Sequence, residues 1–407
     1  MTPCFTPADI LLPRHGISLP HWSVIACDQY TQNSEYWQKL AALIGNDPST
    51  LHLILPEIYL EQPDVATRIQ TIHATMQRYE HDILTPLHNA LIYVERTQPD
   101  GRIRCGLVGK LDLQAYDYTP GTKPRVRATE GTVLTRIPPR MQIRTHAGLE
   151  LPHIMLLCND PEDRIFSICK QQVSTMQLLY DFSLCMGGGS LRGYLCTQAQ
   201  KAKIAEILLQ MEQAGPDPFV FAVGDGNHSL ATAKACYEAY KKEFGPVAAA
   251  VHPTRYALCE LVNLYSDALD FEPIYRVVFT SEPNVLLRAF RTACPVQNGG
   301  CRYTAFTAKG QQEFSAGDGT MLPVSVLQSF LDTYLANKPD IRVDYIHGAS
   351  DAKALAQEKD CVAFLFDGIK KTDLFPAVRA NGALPRKTFS MGCADDKRFY
   401  LECRKIL

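Results

Sequence analysis

Phe219-Val220-Phe221-Ala222-Val223-Gly224-Asp225-Gly226-Asn227-His228-Ser229-Leu230 is an unbroken apolar run that meets two glycines and then turns polar. Five apolar residues rich in aromatic and β-branched types predict a buried strand over 219–223. A helix is expected from about Leu230 to Phe244, closed by Gly245-Pro246. Strand, short loop and helix form an α/β unit, and ligands of such units gather at the carboxyl ends of strands. Gly224 and Gly226 admit backbone conformations closed to other residues and let a ligand approach the main chain. The first amides of the following helix have no partner within it, and its positive dipole end favours an anion. Asn227 and Ser229 are uncharged hydrogen-bonders suited to phosphate oxygens. His228 is suited to donating a hydrogen bond or moving a proton near neutrality. Asp225 would repel a phosphate unless Mg²⁺ bridges the two or its carboxylate caps the helix. The pattern is neither the dinucleotide fingerprint nor a P-loop, and a capped helix start without a ligand reads the turn equally well.

The chain around this unit alternates strands and helices, which places it in the α/β class with mixed sheets. A buried strand runs through Val24–Cys27. Ser34 is expected to cap a helix over 35–44, and Val65, Ile69, Ile72, Met76, Tyr79 and Ile83 mark a helix over 64–84. Pro99-Asp100-Gly101 joins strands at 90–94 and 103–108 into a hairpin. A strand is expected over 153–158. A second hairpin spans 180–195 around Gly187-Gly188-Gly189, and Thr197 caps a helix to about 213. Beyond it, strands at 257–264, 274–279, 343–347 and 362–366 and helices at 324–335 and 373–380 suggest a second layer, with a terminal hairpin around 397–400. The expected division is 1–250 and 251–407.

The 407 residues carry 46% hydrophobic and 21% charged residues and a formal net charge of −2. That composition supports a packed core and offers no electrostatic footing for nucleic acid. No apolar run approaches the ~18–20 residues that span a bilayer. The start, Met1-Thr2-Pro3-Cys4, has no leader character. The fourteen cysteines show no Cys-x-x-Cys pair, so reduced, buried thiols in a cytoplasmic protein are expected. His146, His153 and His252 are too dispersed for a metal site and read as structural or surface residues.

Val223-Gly224-Asp225-Gly226-Asn227-His228-Ser229 resembles the Asp-Gly-His-His-Arg segment of a large bacterial family of unassigned function. That family is distantly similar to free-serine kinases and to the ParB/sulfiredoxin fold. Cys27-Asp28-Gln29-Tyr30 stands where the family has a Tyr-Asp segment. Thr129-Glu130-Gly131-Thr132 resembles His-Glu-x-Thr, Pro273-Ile274-Tyr275-Arg276 resembles Pro-Thr-His-Arg, and Pro385-Arg386-Lys387-Thr388 resembles the terminal Pro-Pro-Lys-Ser/Thr. The resemblance covers nearly the whole chain.

It implies a ParB/sulfiredoxin-like N-terminal portion and a smaller C-terminal α/β portion. It also implies a nucleotide-dependent phosphotransferase acting on a small hydroxyl-bearing metabolite such as free L-serine. Carried over, Asp225, Gly226, Asn227, His228 and Ser229 contact phosphate, Glu130 is the base beside His228, and Lys387 is an accessory cation. ATP or ADP with Mg²⁺ at Asp225 are the implied cofactors. Asn227 and Ser229 replace the His and Arg of the family's loop, and Thr129 replaces the His before the Glu. Losing the Arg removes a bidentate phosphate donor, so Lys387, Arg127 or Arg136 must supply the charge. A non-catalytic nucleotide-binding regulator of the same fold is the alternative. Without the resemblance, Glu130 reads as a surface ion-pair member and Lys387 as part of a solvated edge. The expected partners are a nucleotide and a small-molecule substrate; self-association stays open, and neither membrane nor nucleic acid is expected.

Overall fold

Residues 2–31, 33–358 and 360–407 are described in a computed structural model. The chain divides into two units, Met1–Leu269 with Cys393–Leu407, and Asp270–Gly392. The expected division at 250/251 differs from this one. Tyr256–Asn263, assigned there to the second portion, is hydrogen-bonded on both edges inside the first unit's sheet, and the last fifteen residues also return to that unit.

The first unit is built on a ten-stranded mixed sheet. Its strands are β1 (Phe5–Thr6), β2 (Ile92–Thr97), β3 (Ile103–Asp112), β4 (Tyr116–Asp117), β5 (Val126–Ala128), β6 (Met155–Cys158), β7 (Gln177–Ser183), β8 (Ser190–Leu195), β9 (Phe221–Asp225) and β10 (Tyr256–Asn263). The order is β7-β8-β2-β3-β10-β6-β9-β5-β4, with β1 added to β3. Both expected hairpins form, β2 with β3 and β7 with β8. The central strands β6, β9 and β10 are nearly continuous apolar runs because both faces are covered.

Five helices of this unit matter below: α1 (Ser34–Ile44), α2 (Val65–Asp82), α3 (Ile137–Arg144), α4 (Gln198–Glu212) and α5 (Asn227–Val251). Asn33, not Ser34, caps α1, accepting from the Tyr36 amide at 3.0 Å. Thr197 caps α4 as expected, in a reciprocal pair with Gln200. The expected terminal hairpin is absent. Tyr400 instead donates its amide to Val24, and Arg404–Lys405 pairs with Leu149–Glu150. Two apolar cores flank the sheet. One is centred on Trp22, Trp37, Leu40 and Tyr400, the other on Phe166, Phe221, Val223 and Tyr237.

The second unit has a six-stranded sheet of its own: β11 (Phe271–Phe279), β12 (Cys301–Thr307), β13 (Gly310–Ala316), β14 (Arg342–His347), β15 (Cys361–Phe366) and β16 (Phe389–Met391). The order is β13-β12-β15-β11-β14, with β16 added to β11. Helices Pro283–Ala293 and Pro323–Leu335 supply core residues such as Phe290 and Leu331. Among the described residues, no helix is long and apolar enough to cross a membrane.

Candidate functional site

Strand β9 lies between β6, to which it is antiparallel, and β5, to which it is parallel. The carboxyl end of β9 therefore meets the carboxyl end of β5 and the start of β6. Val223 is level with Ala128 and Asp225 with Met155. Sheet topology thus gathers Thr129 and Glu130, His153 and Ile154, and the 225–229 turn. The strand runs two residues further than the apolar pattern predicts, and Gly224 lies inside it, where the register with β6 shifts. A glycine at such an irregularity relieves the strand of a side chain.

Gly226 carries the turn. Its backbone is left-handed, with φ 74° and ψ 28°. A Cβ there would lie 3.0 Å from Ile154 Cα and 3.3 Å from His153 Cδ2. The conformation and the space both demand glycine. Helix α5 starts at Asn227, three residues before the predicted start, and its first internal bond runs from Leu230 N to Gly226 O at 3.0 Å. No side chain caps it. Among the described residues, the Asn227, His228 and Ser229 amides have no protein acceptor. The Asn227 side chain donates weakly to Thr129 Oγ1 at 3.5 Å, and its buried Oδ1 has no partner. Thr129 donates to Val223 O at 2.7 Å, which ties the ends of β5 and β9 together.

The charges around the turn differ from the sequence expectation. Asp225 Oδ1 accepts from the Gly226 amide at 2.9 Å, and Oδ2 faces Lys397 Nζ at 3.4 Å. Among the described residues no three His, Cys, Asp or Glu side chains are grouped to hold a metal ion. An ammonium faces the outer oxygen of Asp225, where the resemblance implies Mg²⁺. Arg127 is committed to Asp217 and stacks on Phe219, and Arg125 is committed to Glu212, so neither is available to a ligand. Arg136 and Arg140 do act here. Burial first, then these two guanidinium groups, push the His228 imidazole down to about 4. The Val133 amide donates to His228 Nε2 at 3.2 Å. At neutral pH the ring is thus uncharged, with Nδ1–H left as its donor.

A cavity of about 150 Å³ opens beside the first turn of α5. Ser229, Thr232, His153, Tyr400, Asp28 and Arg140 are among its lining residues. Ser229 Oγ is 2.7 Å from His153 Nε2, and His153 Nδ1 is 2.8 Å from the Tyr400 hydroxyl. Full burial raises the Tyr400 phenol far above its usual range, so it keeps its proton. Its oxygen accepts from the Cys27 amide at 3.1 Å. Ser229, His153 and Tyr400 thus form one hydrogen-bonded chain on the cavity wall. Thr232 donates to His228 O at 2.7 Å and keeps acceptor capacity.

Of the sequence candidates, Asp225 to Ser229 share this turn, and half-buried Glu130 directly follows Thr129. Lys387 belongs to the second unit, where its carbonyl accepts from Arg276 at 2.8 Å. Sequence reasoning missed Lys397, His153, Tyr400 and Thr232. Thr232 had a signal, being three residues from Ser229 on one helix face; the others are remote in sequence.

No curated protein matches the chain. Among solved structures, a free serine kinase in complex with AMP is 10% identical with a TM-score of 0.40, covering 73% of this chain and 91% of that one. A conserved hypothetical protein from Pyrococcus furiosus is 10% identical with a TM-score of 0.37, covering 71% and 92%. SbnI with C-terminal truncation, from Staphylococcus aureus, is 8% identical with a TM-score of 0.38, covering 70% and 82%. Likeness at this level carries no argument about the site. A family described as a protein of unknown function, DUF1015, matches residues 11–404. The chain belongs to that family.

Proposed function

We propose that the protein is a nucleotide-dependent phosphotransferase acting on a small hydroxyl-bearing molecule. The observation that carries the reading is the row of unpartnered amides at Asn227, His228 and Ser229, the last of which also lines the cavity. Amides aimed along a helix axis bind phosphate without a charged side chain, which offsets the loss of the family's loop Arg. His228 Nδ1–H adds a donor that does not titrate at neutral pH. Arg136 near His228, with Lys397 beside Asp225, supplies the positive charge that phosphoryl transfer needs. Glu130 is the proposed base: the acceptor hydroxyl attacks the terminal phosphorus, its proton passes to the carboxylate, and the nucleotide leaves one phosphate shorter. ATP or ADP is the proposed donor, as the sequence resemblance implies; solved free serine kinases hold AMP or ADP, but the reading does not rest on them.

The test is a product assay with ATP or ADP against a panel of alcohols including L-serine, comparing wild type with Glu130→Gln. The reading expects a phosphorylated product whose formation falls about 10²-fold or more in the variant, with nucleotide affinity retained. Nucleotide binding without transfer to any acceptor favours the regulatory alternative; no nucleotide binding removes both.

A further inference from the structure

The cavity beside α5 has a chemistry that narrows its ligand. Most of its wall is hydrocarbon: Leu53, Leu55, Leu60, Met76, Ile143 and Leu151 contribute to it. Its guanidinium groups are already engaged, Arg140 with Glu57 and Arg144 with Glu150. Glu150 is shared with Arg404 at 2.5 Å. The remaining charge is Asp28, which accepts from the Gln29 side chain at 3.0 Å. A carboxylate-bearing ligand would have to leave water for a hydrocarbon wall, with another carboxylate nearby and no uncommitted cation on the lining.

The polar end is equally specific. Ser229 and Thr232 both line the cavity from one face of α5. Thr232 has given its proton to His228 O and has lone pairs to offer, and Ser229 Oγ, bonded to His153, keeps a lone pair as well. Two such oxygens a helical turn apart accept the proton of an alcohol, which a carboxylate does not have.

We propose that this cavity binds a non-anionic alcohol with a hydrocarbon body, its hydroxyl held between Ser229 and Thr232. The inference goes beyond the phosphotransfer reading and does not rest on it. Ser229 and Thr232 are binding residues in it, and about 150 Å³ is the volume of apolar cavities that take one small hydrocarbon guest.

The test is isothermal titration of the full chain with 1-butanol, 1-hexanol and 1-octanol, with octanoate and L-serine as comparisons, and with ADP titrated in the same preparations. Affinity is expected to rise roughly fourfold per added methylene, with no binding of octanoate. Ile143→Trp and Leu151→Trp, two half-buried wall positions, fill the cavity and are expected to weaken 1-octanol at least tenfold while ADP affinity is retained. Two results overturn the proposal: saturable binding of L-serine or octanoate in preference to 1-octanol, or 1-octanol affinity unchanged in both folded variants. Alcohol binding without ADP binding supports the cavity assignment while ending the phosphotransfer reading. ADP binding without alcohol binding does the reverse.

Discussion

Burial, together with Arg136 and Arg140, pushes the His228 imidazole from 6.5 down to about 4. Between those values the unfolded chain takes up a proton that the folded chain refuses. The contribution is therefore fully present above pH 6.5 and is lost as the pH falls toward 4. Urea denaturation followed between pH 7 and pH 4.5 is expected to show a falling midpoint that His228→Asn makes shallower; parallel profiles would contradict the assignment. The residue was legible in the sequence, its protonation was not. The shift comes from burial first and then from Arg136 and Arg140, which only folding brings to the ring. The same holds for the Lys397 ammonium beside Asp225 and for the Ser229–His153–Tyr400 chain. His153 read as one scattered histidine among several because its partners are remote in sequence.

At the scale of elements, the strand–turn–helix that was predicted forms, with the strand two residues later at both ends and the helix starting three residues earlier. Asn227, His228 and Ser229 have modest helix propensity and read as loop, yet they make the first helical turn, where amides need no partner inside the helix. Helix α5 also continues past the expected stop at Gly245-Pro246, with Gly245 breaking regular geometry at φ 86°. The hairpin of β12 and β13 went unseen because its outer strand is Gly310-Gln311-Gln312-Glu313, polar residues on an edge that hydrophobic periodicity does not register. The turn itself gives a sharp prediction. Gly226→Ala forces a left-handed alanine against Ile154, so unfolding free energy is expected to drop by about 1–3 kcal/mol, measured by urea titration. An unchanged stability would show that the turn is not held as described.

Across the whole molecule, the discontinuity of the first unit was not legible. Its sheet orders β10 between β3 and β6, and its final segment closes the N-terminal core through Trp22 Nε1 to Leu401 O at 2.9 Å. No composition shift marks such a return. The segment also delivers Arg398 to buried Glu260 and Glu402, with Pro152 O as a further acceptor at 2.9 Å. Removing that guanidinium takes the nearest cation from two buried carboxylates and leaves Glu260 with Arg104 at 3.6 Å and Glu402 with the Tyr180 hydroxyl. Arg398→Met is expected to cost about 3–5 kcal/mol, read from the denaturation midpoint. A variant as stable as wild type would mean the ion cluster does not hold the terminal segment in place.

The amides that open α5 can be watched directly. In a TROSY titration of ¹⁵N-labelled protein with ADP, and separately with inorganic phosphate, the backbone signals of Asn227, His228 and Ser229 are expected to move together and saturate. Saturable binding that leaves those three signals in place, or no binding of either anion, would contradict the phosphate socket.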